Sequence, residues 1–166
     1  MKLRLFILLF LSFAMVSCNN TTKDFLYEQT FVTPKTINVV VEIPAGTNKK
    51  IEYDKTSRQF IIDKIEGIDR IKAYLPYPAN YGFLPRTLSD PAMGGDGDPI
   101  DVMLISETLP TGTVIEAIPV AMLRLVDEGE RDDKIICIPA KKELRTVNAS
   151  SLDELVEKYP KALDII

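Results

Sequence analysis

The stretch GDGDPIDV at residues 95–102 places three carboxylates within six residues, immediately before an apolar run. Its glycine and proline residues form turns readily, so Asp96 and Asp98 are expected on a tight loop, with Asp101 at the start of a strand. Carboxylates this dense repel one another unless a cation lies between them. Hard divalent cations such as Mg2+ prefer oxygen ligands and are usually held by a few carboxylates together with substrate phosphates. The stretch therefore predicts a metal site at the mouth of a sheet.

Two other interpretations of this stretch need weighing. An acidic loop with glycine is often only a solvated turn. A calcium loop of the helix–loop–helix type is the other, because Asp96, Asp98 and Glu107 stand at positions 1, 3 and 12 of such a loop. That loop requires glycine at position 6, where this chain has Asp101, and Ile100 occupies a ligand position. The complete string DGDPID is more specific than its parts.

Composition excludes several classes of function. With 166 residues the chain has room for one domain with a sizeable core. Its 24 acidic and 20 basic residues give no sign of a nucleic-acid-binding surface. The absence of histidine excludes His-ligated zinc, a Ser-His-Asp triad and a histidine general base. Catalysis must therefore use carboxylates, lysine, tyrosine and metal-bound water.

The N-terminus resembles a bacterial lipoprotein signal. Lys2 and Arg4 give the chain a short basic start, and the apolar run at 5–16 is too short to span a membrane comfortably. Small residues then precede Cys18, which is followed by polar residues. We expect a signal peptide at 1–17 and a lipidated Cys18 that begins a tether through residue 35. This expectation places the protein in the cell envelope, anchored to a membrane by its lipid. A cleaved secretory signal is the alternative.

The rest of the chain alternates short apolar runs with turn residues, which is typical of a barrel or sandwich. Strands are predicted over 37–43, 50–55, 59–65, 101–105, 113–126 and 134–138, the second and third of them as a hairpin. Cys137 falls in the last of these strands and is expected in the core rather than in a disulfide. Residues 66–95 are rich in proline and glycine and are expected to be irregular. A capping-box pattern at Ser151 predicts a helix through Lys158.

Three more segments carry candidate functional residues, each with a simpler interpretation. The acidic stretch DEGERDDK at 127–134 is a solvated hairpin turn unless it binds metal. Glu42, with Lys50 and Glu52 beyond the next turn, is a solvent-facing residue of an edge strand unless it faces a site. The segment YPANYGF at 77–83 is otherwise a packed surface loop.

Together these segments resemble the family I soluble inorganic pyrophosphatases. The matching strings, in the family's order, are VVVEIPAG at 39–46, KIEYDK at 50–55, YPANYGF at 77–83, GDGDPIDV at 95–102 and DEGERDDK at 127–134. The resemblance covers roughly residues 36–165. It implies a mainly β (α+β) fold, a five-stranded OB-like barrel with flanking helices, in a domain at 36–166. It also implies Mg2+-dependent hydrolysis of pyrophosphate to two phosphates. Relatives are typically cytoplasmic. Bacterial relatives assemble into hexamers, so a homo-oligomer is one state compatible with the resemblance.

The resemblance also implies roles for individual residues. The core Mg2+ ligands would be Asp96, Asp101 and Asp132. Ligands for further Mg2+ ions that arrive with substrate would be Asp127 and Glu42. The residue that orients or deprotonates the attacking water would be Asp98. The phosphate contacts would come from Lys50, Tyr81 and Lys134, supported by Glu52 and Tyr77. Such a set fits the chemistry, since pyrophosphate hydrolysis needs neutralised phosphoryl oxygens and an activated water.

This chain departs from the family pattern in two places. Lys64 stands where the family usually has an arginine, and we expect it to contact phosphate as well, although lysine lacks the planar bidentate contact of arginine. Arg70 or Arg86 could compensate. The family's C-terminal Tyr-Lys pair has no counterpart here, so we expect a domain truncated at the C-terminal helix. Two alternatives follow, namely a catalytically impaired lipoprotein that binds metal and phosphate, or a hydrolase of another external phosphoanhydride.

Overall fold

The computed structural model of the chain describes residues 23–127, 129–162 and 164–165. The expected signal peptide, Cys18 and the tether as far as residue 22 lie outside the described residues. The strands are β1 (Phe31–Thr33), β2 (Thr36–Ile43), β3 (Ile51–Asp54), β4 (Gln59–Ile62), β5 (Lys64–Ile65), β6 (Ile68–Asp69), β7 (Asn80–Phe83), β8 (Asp101–Leu104), β9 (Val114–Leu123), β10 (Val126–Asp127), β11 (Glu130–Arg131) and β12 (Lys134–Pro139). The α-helix α1 spans Leu152–Lys158, and short 3-10 helices span Phe25–Tyr27, Pro91–Met93 and Lys142–Leu144.

Five strands close into a barrel, which confirms the predicted fold. Their order is β2-β7-β8-β12-β9, and β9 pairs back onto β2. Strands β8 and β12 run parallel to each other, and the remaining pairs of the barrel are antiparallel. Strand β1 adds to the edge of β2, while β3–β4, β5–β6 and β10–β11 form hairpins outside the barrel.

The barrel is filled by the β-branched runs that predicted its strands. Val39, Val40 and Val41 of β2 are all buried, as is Cys137 of β12, whose pKa is raised by burial to about 12. A thiol with that pKa stays protonated and acts as a small apolar side chain, as predicted. Where β7 pairs with β2, an added Cβ on Gly82 would lie 1.9 Å from the carbonyl oxygen of Val40. Only glycine fits at this position.

Strand β7 lies within the segment that we expected to be irregular. Its first residue, Asn80, is 1% exposed, and its amide satisfies four partners that face the interior. The amide oxygen accepts hydrogen bonds from the backbone N–H groups of Ala45 and Leu109. The amide nitrogen donates to Ser106 Oγ and to the carbonyl oxygen of Glu107. A buried asparagine is tolerated because it replaces missing backbone partners.

Residues 23–35, expected to belong to a flexible tether, pack on the barrel in the structure. Asp24 caps the first 3-10 helix, and its carboxylate accepts a hydrogen bond from the Tyr53 hydroxyl at 3.1 Å. The Phe25 ring meets the Tyr53 ring edge-on, with centroids 5.6 Å apart. Strand β1 then pairs with β2. The tether expectation missed this segment because its aromatic residues find partners far along the chain.

Helix α1 begins as its capping pattern predicts. The Ser151 hydroxyl accepts a hydrogen bond from the backbone N–H of Glu154. The Glu154 carboxylate in turn accepts one from the backbone N–H of Ser150. Leu155 is fully buried against the barrel, which fixes the helix. In the described part of the chain, every helix is too short or too polar to cross a membrane.

Candidate active site

An open cavity of about 740 Å3 lies where β2 ends and β8 and β12 begin. Eleven of the twelve residues that the sequence predicted for metal, water and substrate line it, and only Lys64 does not. The lining residues from that prediction are Glu42, Lys50, Glu52, Tyr77, Tyr81, Asp96, Asp98, Asp101, Asp127, Asp132 and Lys134. Segments that are distant in sequence are thus brought to one end of the barrel.

The loop that carries Asp96 and Asp98 is held by the segment that precedes it. The backbone N–H of Ser89 donates to the Asp98 carbonyl at 2.7 Å, and that of Gly97 donates back to the Ser89 carbonyl at 2.9 Å. The Asp96 carboxylate accepts from the Asp98 backbone at 2.9 Å. An added Cβ at Gly95 would meet Ser89 Oγ at 2.3 Å, so glycine permits this close approach. The loop is therefore a fixed turn, and its exposed carboxylates Asp96 and Asp98 line the cavity.

Lys134 joins two of the predicted metal ligands. The parallel register of β8 and β12 places Lys134 opposite Asp101. Lys134 Nζ contacts Asp101 at 3.0 Å and Asp132 at 2.7 Å, and it donates to the Tyr81 hydroxyl at 2.7 Å. Burial lowers the pKa of Lys134, but the hydrogen bonds and charges of Asp132 and Asp101 outweigh it and raise that pKa overall. The two carboxylates therefore favour the charged form of Lys134.

Tyr81 supplies a proton donor at the same place. Its hydroxyl contacts the Asp101 carboxylate, and its ring lies 5.8 Å from the ring of Tyr77. Burial, followed by the neighbouring charge of Asp101, raises the pKa of Tyr81 well above its usual range. The phenol thus stays protonated and can donate a hydrogen bond to an anion without adding a charge.

Glu42 is a half-buried carboxylate that lines the cavity. One of its oxygens accepts the backbone N–H of Tyr53 at 2.7 Å. Burial raises the pKa of Glu42 to about 8, with smaller contributions from Asp101 and Glu52, while the hydrogen bond from Tyr53 opposes the rise. A nearby cation would further stabilise the charged form of this carboxylate.

The acidic hairpin β10–β11 forms a second side of the cavity. Asp127 lies on β10 and Arg131 on β11, and both line the cavity. The backbone N–H of Arg131 donates to the carbonyl of Gly94 at 2.7 Å, which ties this hairpin to the start of the 95–102 loop. The guanidinium of Arg131 pairs with Asp133 at 2.7 Å. The stretch 127–134 is a hairpin, as its simpler interpretation held, but it also contributes side chains to the cavity.

The structure places Lys64 apart from the other predicted site residues. Its Nζ pairs with Asp69 at 3.3 Å on the β5–β6 hairpin, outside the cavity. Arg86 lies elsewhere too, with its guanidinium donating to the carbonyl of Tyr27. Arg70 does line the cavity, and its guanidinium contacts Asp63 at 2.6 Å. Of the three cations considered from sequence, Arg70 is the one that the fold brings to the site.

The position of Arg70 follows from the β5–β6 excursion. The backbone N–H of Arg70 donates to the carbonyl of Asp63 at 2.8 Å, so the chain leaves and returns at one point. Between them the hairpin turns through Glu66 and Gly67, whose φ angles are 52° and 81°. The EG pair at this turn was the sequence signal that could have revealed the hairpin.

Other basic side chains at the cavity were not anticipated. Lys55, on the turn between β3 and β4, forms an ion pair with Asp98 and lies 3.4 Å from the carbonyl of Gly97. Lys72 and Arg131 also line the cavity. Lys55 closes the string KIEYDK, but nothing in that string indicates that the turn after β3 meets the acidic loop.

The donor set fits hard divalent cations. It consists of carboxylate oxygens without histidine or thiolate, which suits Mg2+ and not soft metals. Among the residues that the structure describes, no three acidic side chains already surround a common point, and Lys134 and Lys55 contact three of the carboxylates.

Comparisons with known proteins agree with this geometry. Residues 39–164 match the family described as inorganic pyrophosphatase. An inorganic pyrophosphatase of Synechocystis sp. is 42% identical over 132 residues, which are 74% of this chain and 72% of that protein. One of Neisseria meningitidis is 46% identical over 105 residues, and the match spans only 54% of its length. The crystal structure of an inorganic pyrophosphatase from Neisseria gonorrhoeae superposes with a TM-score of 0.67 at 38% identity, over 83% of this chain and 76% of that one.

Proposed function

Because the chain belongs to the inorganic pyrophosphatase family, we propose that it hydrolyses inorganic pyrophosphate to two phosphates with the help of Mg2+. The observation that carries this proposal is the cavity itself. It gathers acidic side chains that suit metal ions beside lysine, arginine and tyrosine side chains that suit phosphate oxygens. A small polyanion held by metal ions needs both kinds of group in one place.

In this proposal the carboxylates hold the metal ions. Asp96, Asp101 and Asp132 would hold the resident Mg2+, and Asp127 and Glu42 would hold ions that arrive with substrate. Bound Mg2+ supplies Lewis acidity, which neutralises phosphoryl oxygens and makes water a better nucleophile.

The remaining side chains act on substrate and water. Asp98, on its fixed loop, accepts the proton of the attacking water. Lys134 and Lys50 place positive charge on phosphate oxygens, and Tyr81 donates a hydrogen bond to them. Glu52 and Tyr77 support Lys50 and Tyr81, since Lys50 Nζ lies 2.7 Å from Glu52 and the rings of the two tyrosines pack together.

Arg70 takes the phosphate contact that the family pattern suggested for Lys64. Its planar guanidinium can bind two oxygens of one phosphate, which lysine cannot. One carboxylate oxygen of Asp63 lies 2.6 Å from the Arg70 guanidinium and 3.8 Å from Lys50 Nζ. Asp63 therefore orients both cations at one end of the cavity.

The direct test is phosphate release from pyrophosphate by the purified chain, with and without Mg2+, beside Asp98→Asn. We expect Mg2+-dependent turnover that falls by about two to four orders of magnitude in the variant, the usual contribution of a general base. Triphosphate and nucleoside triphosphates serve as comparison substrates. A folded protein without turnover would support the binding-only alternative, and faster release from a longer substrate would support the other phosphoanhydride.

We propose further that Cys18 carries a lipid that anchors the protein to a membrane of the cell envelope. The support is the order of basic, apolar and small residues before Cys18. The test is membrane fractionation of the full chain beside Cys18→Ala. The variant is expected in the soluble fraction, and its retention with membranes would contradict the anchor.

A further inference from the structure

Residues 23–35 form an arm, named here the N-terminal arm, that is fixed to the barrel at several points. Besides the Asp24–Tyr53 contact, the ring of Phe25 lies 5.0 Å from that of Phe60. The guanidinium of Arg86 donates to the carbonyl of Tyr27 at 2.6 Å. The Thr30 hydroxyl donates to the carbonyl of Pro85 at 2.6 Å. The arm therefore keeps one orientation relative to the barrel.

The arm nevertheless leaves large apolar side chains in contact with solvent. Tyr27 is 70% exposed, Phe31 66% and Val32 43%, all within six residues. Phe31 and Val32 belong to β1, an edge strand, and edge strands normally carry polar or charged residues that discourage association. Exposed apolar residues grouped in this way usually mark a surface that another body covers.

The chain that precedes the arm indicates which body covers it. Cys18 is five residues before Lys23, so the two lie at most about 18 Å apart even when that segment is fully extended. A lipid on Cys18 would sit in the bilayer, and the fixed arm would then lie at the bilayer surface. Tyrosine and phenylalanine are well suited to the region between acyl chains and headgroups. Lys35, at the end of the arm, is exposed and suits anionic headgroups, whereas Lys23 pairs with Glu28 at 2.9 Å.

We propose that Tyr27 and Phe31 form a membrane-docking surface that lies against the lipid bilayer. Val32, the next residue of β1, points to the opposite face of the strand. This inference rests on the proposed lipid anchor at Cys18. The lipid supplies attachment, and the docking surface sets the orientation of the barrel.

The experiment uses the absence of tryptophan from the chain. Phe31→Trp introduces one reporter into the docking surface. Tyr74→Trp is the matched control, since Tyr74 is an aromatic residue that is 84% exposed and lies outside the arm. Each full-length, lipidated variant is bound to vesicles of phosphatidylcholine and phosphatidylglycerol, with or without brominated phosphatidylcholine, which quenches tryptophan within the lipid. Flotation of the vesicles and the mass of the protein report the anchor separately.

The expected result is a blue shift and a loss of fluorescence in brominated vesicles for Phe31→Trp, with neither change for Tyr74→Trp. Protein that floats while the tryptophan of Phe31→Trp stays unquenched overturns the docking surface and leaves the anchor standing. A blue shift without quenching also overturns it, and points to a second copy of the chain on β1. Protein that carries no lipid and does not float overturns both proposals. Equal quenching of the two variants overturns a defined orientation.

Discussion

The Glu42 carboxyl shows how one side chain links stability, pH and metal. Its pKa is raised from 4.5 to about 8, chiefly by burial, so the folded chain favours the protonated form. Without metal, the stability that this group contributes is complete below pH 4.5 and is lost as the pH rises through about 8. In the presence of Mg2+ the charged form gains a partner, and the loss should shrink.

Thermal unfolding without metal should therefore separate the wild type from Glu42→Gln. We expect the melting temperature of the wild type to fall relative to that of the variant between about pH 5 and pH 9, because the neutral amide has no proton to lose. Addition of Mg2+ should raise the wild-type curve more than the variant curve at the upper end. Parallel pH profiles without metal would show that Glu42 ionises normally.

Arg70 and Lys64 offer a second matched comparison at the level of residues. Removal of the Arg70 guanidinium should cost about 1.5–3 kcal/mol of phosphate binding in the transition state, or about 10- to 100-fold in kcat/KM. Lys64→Ala should remain close to wild type, because Lys64 pairs with Asp69 away from the cavity. Steady-state phosphate release measures both. A large loss in Lys64→Ala with little change in Arg70→Ala would reverse the assignment.

At the scale of elements, strand β7 requires glycine at position 82, where it pairs with β2. Gly82→Ala would place a Cβ against the backbone of Val40, and backbone cannot move aside as a flexible side chain can. We expect a loss of about 3 kcal/mol or more in the free energy of unfolding. Gly67→Ala is the control, because its Cβ meets nothing within 4 Å and only its positive φ of 81° adds strain, about 1–2 kcal/mol. Urea titrations of both variants decide the comparison, and equal losses would contradict the steric argument.

The elements also show what local sequence can predict. Strands β2, β8 and β12 were predictable because each is a β-branched or apolar run that fills the barrel. Strand β7 was missed because its proline and glycine residues suggest a loop, while its pairing depends on partners far along the chain. The arm was missed for the same reason, since Phe25 gains its place only through Tyr53 and Phe60.

The sequence likewise predicts some residues of the cavity and not others. Acidic residues were predictable because their density on short loops has few explanations besides a metal. The choice of Arg70 over Lys64 was not predictable, because it depends on whether the intervening residues form a closed hairpin. The contact of Lys55 with the acidic loop depends on how two separate turns meet, which a local pattern does not contain.

At the scale of the whole molecule, metal binding should stabilise the fold. The proposed ligands come from the end of β2, the loop before β8, the β10–β11 hairpin and the segment before β12, so bound metal would join parts that unfolding separates. Mg2+ at about 100 times its dissociation constant adds about 2.7 kcal/mol to the free energy of unfolding. We expect the melting temperature to rise with Mg2+ and to return to its starting value when a chelator is added.

Two carboxylate variants provide the comparison for this prediction. Asp132→Asn should lose most of the Mg2+-induced rise, since the variant removes a proposed ligand. Asp164→Asn should keep it, because Asp164 is exposed and pairs with Lys161 outside the cavity. Calorimetric melts with and without Mg2+ measure both. Equal rises in the two variants would place the stabilising ion elsewhere.

The β5–β6 excursion has a consequence for how such a chain can change over time. Its two ends meet at the hydrogen bond between Arg70 and Asp63, so residues 64–69 can be lengthened, shortened or exchanged without displacing what lies on either side. Evolution can therefore vary the outer surface here while the catalytic end of the barrel stays constant. For the same reason the turn at Glu66 and Gly67 is a suitable place to insert an affinity tag or a fluorescent reporter.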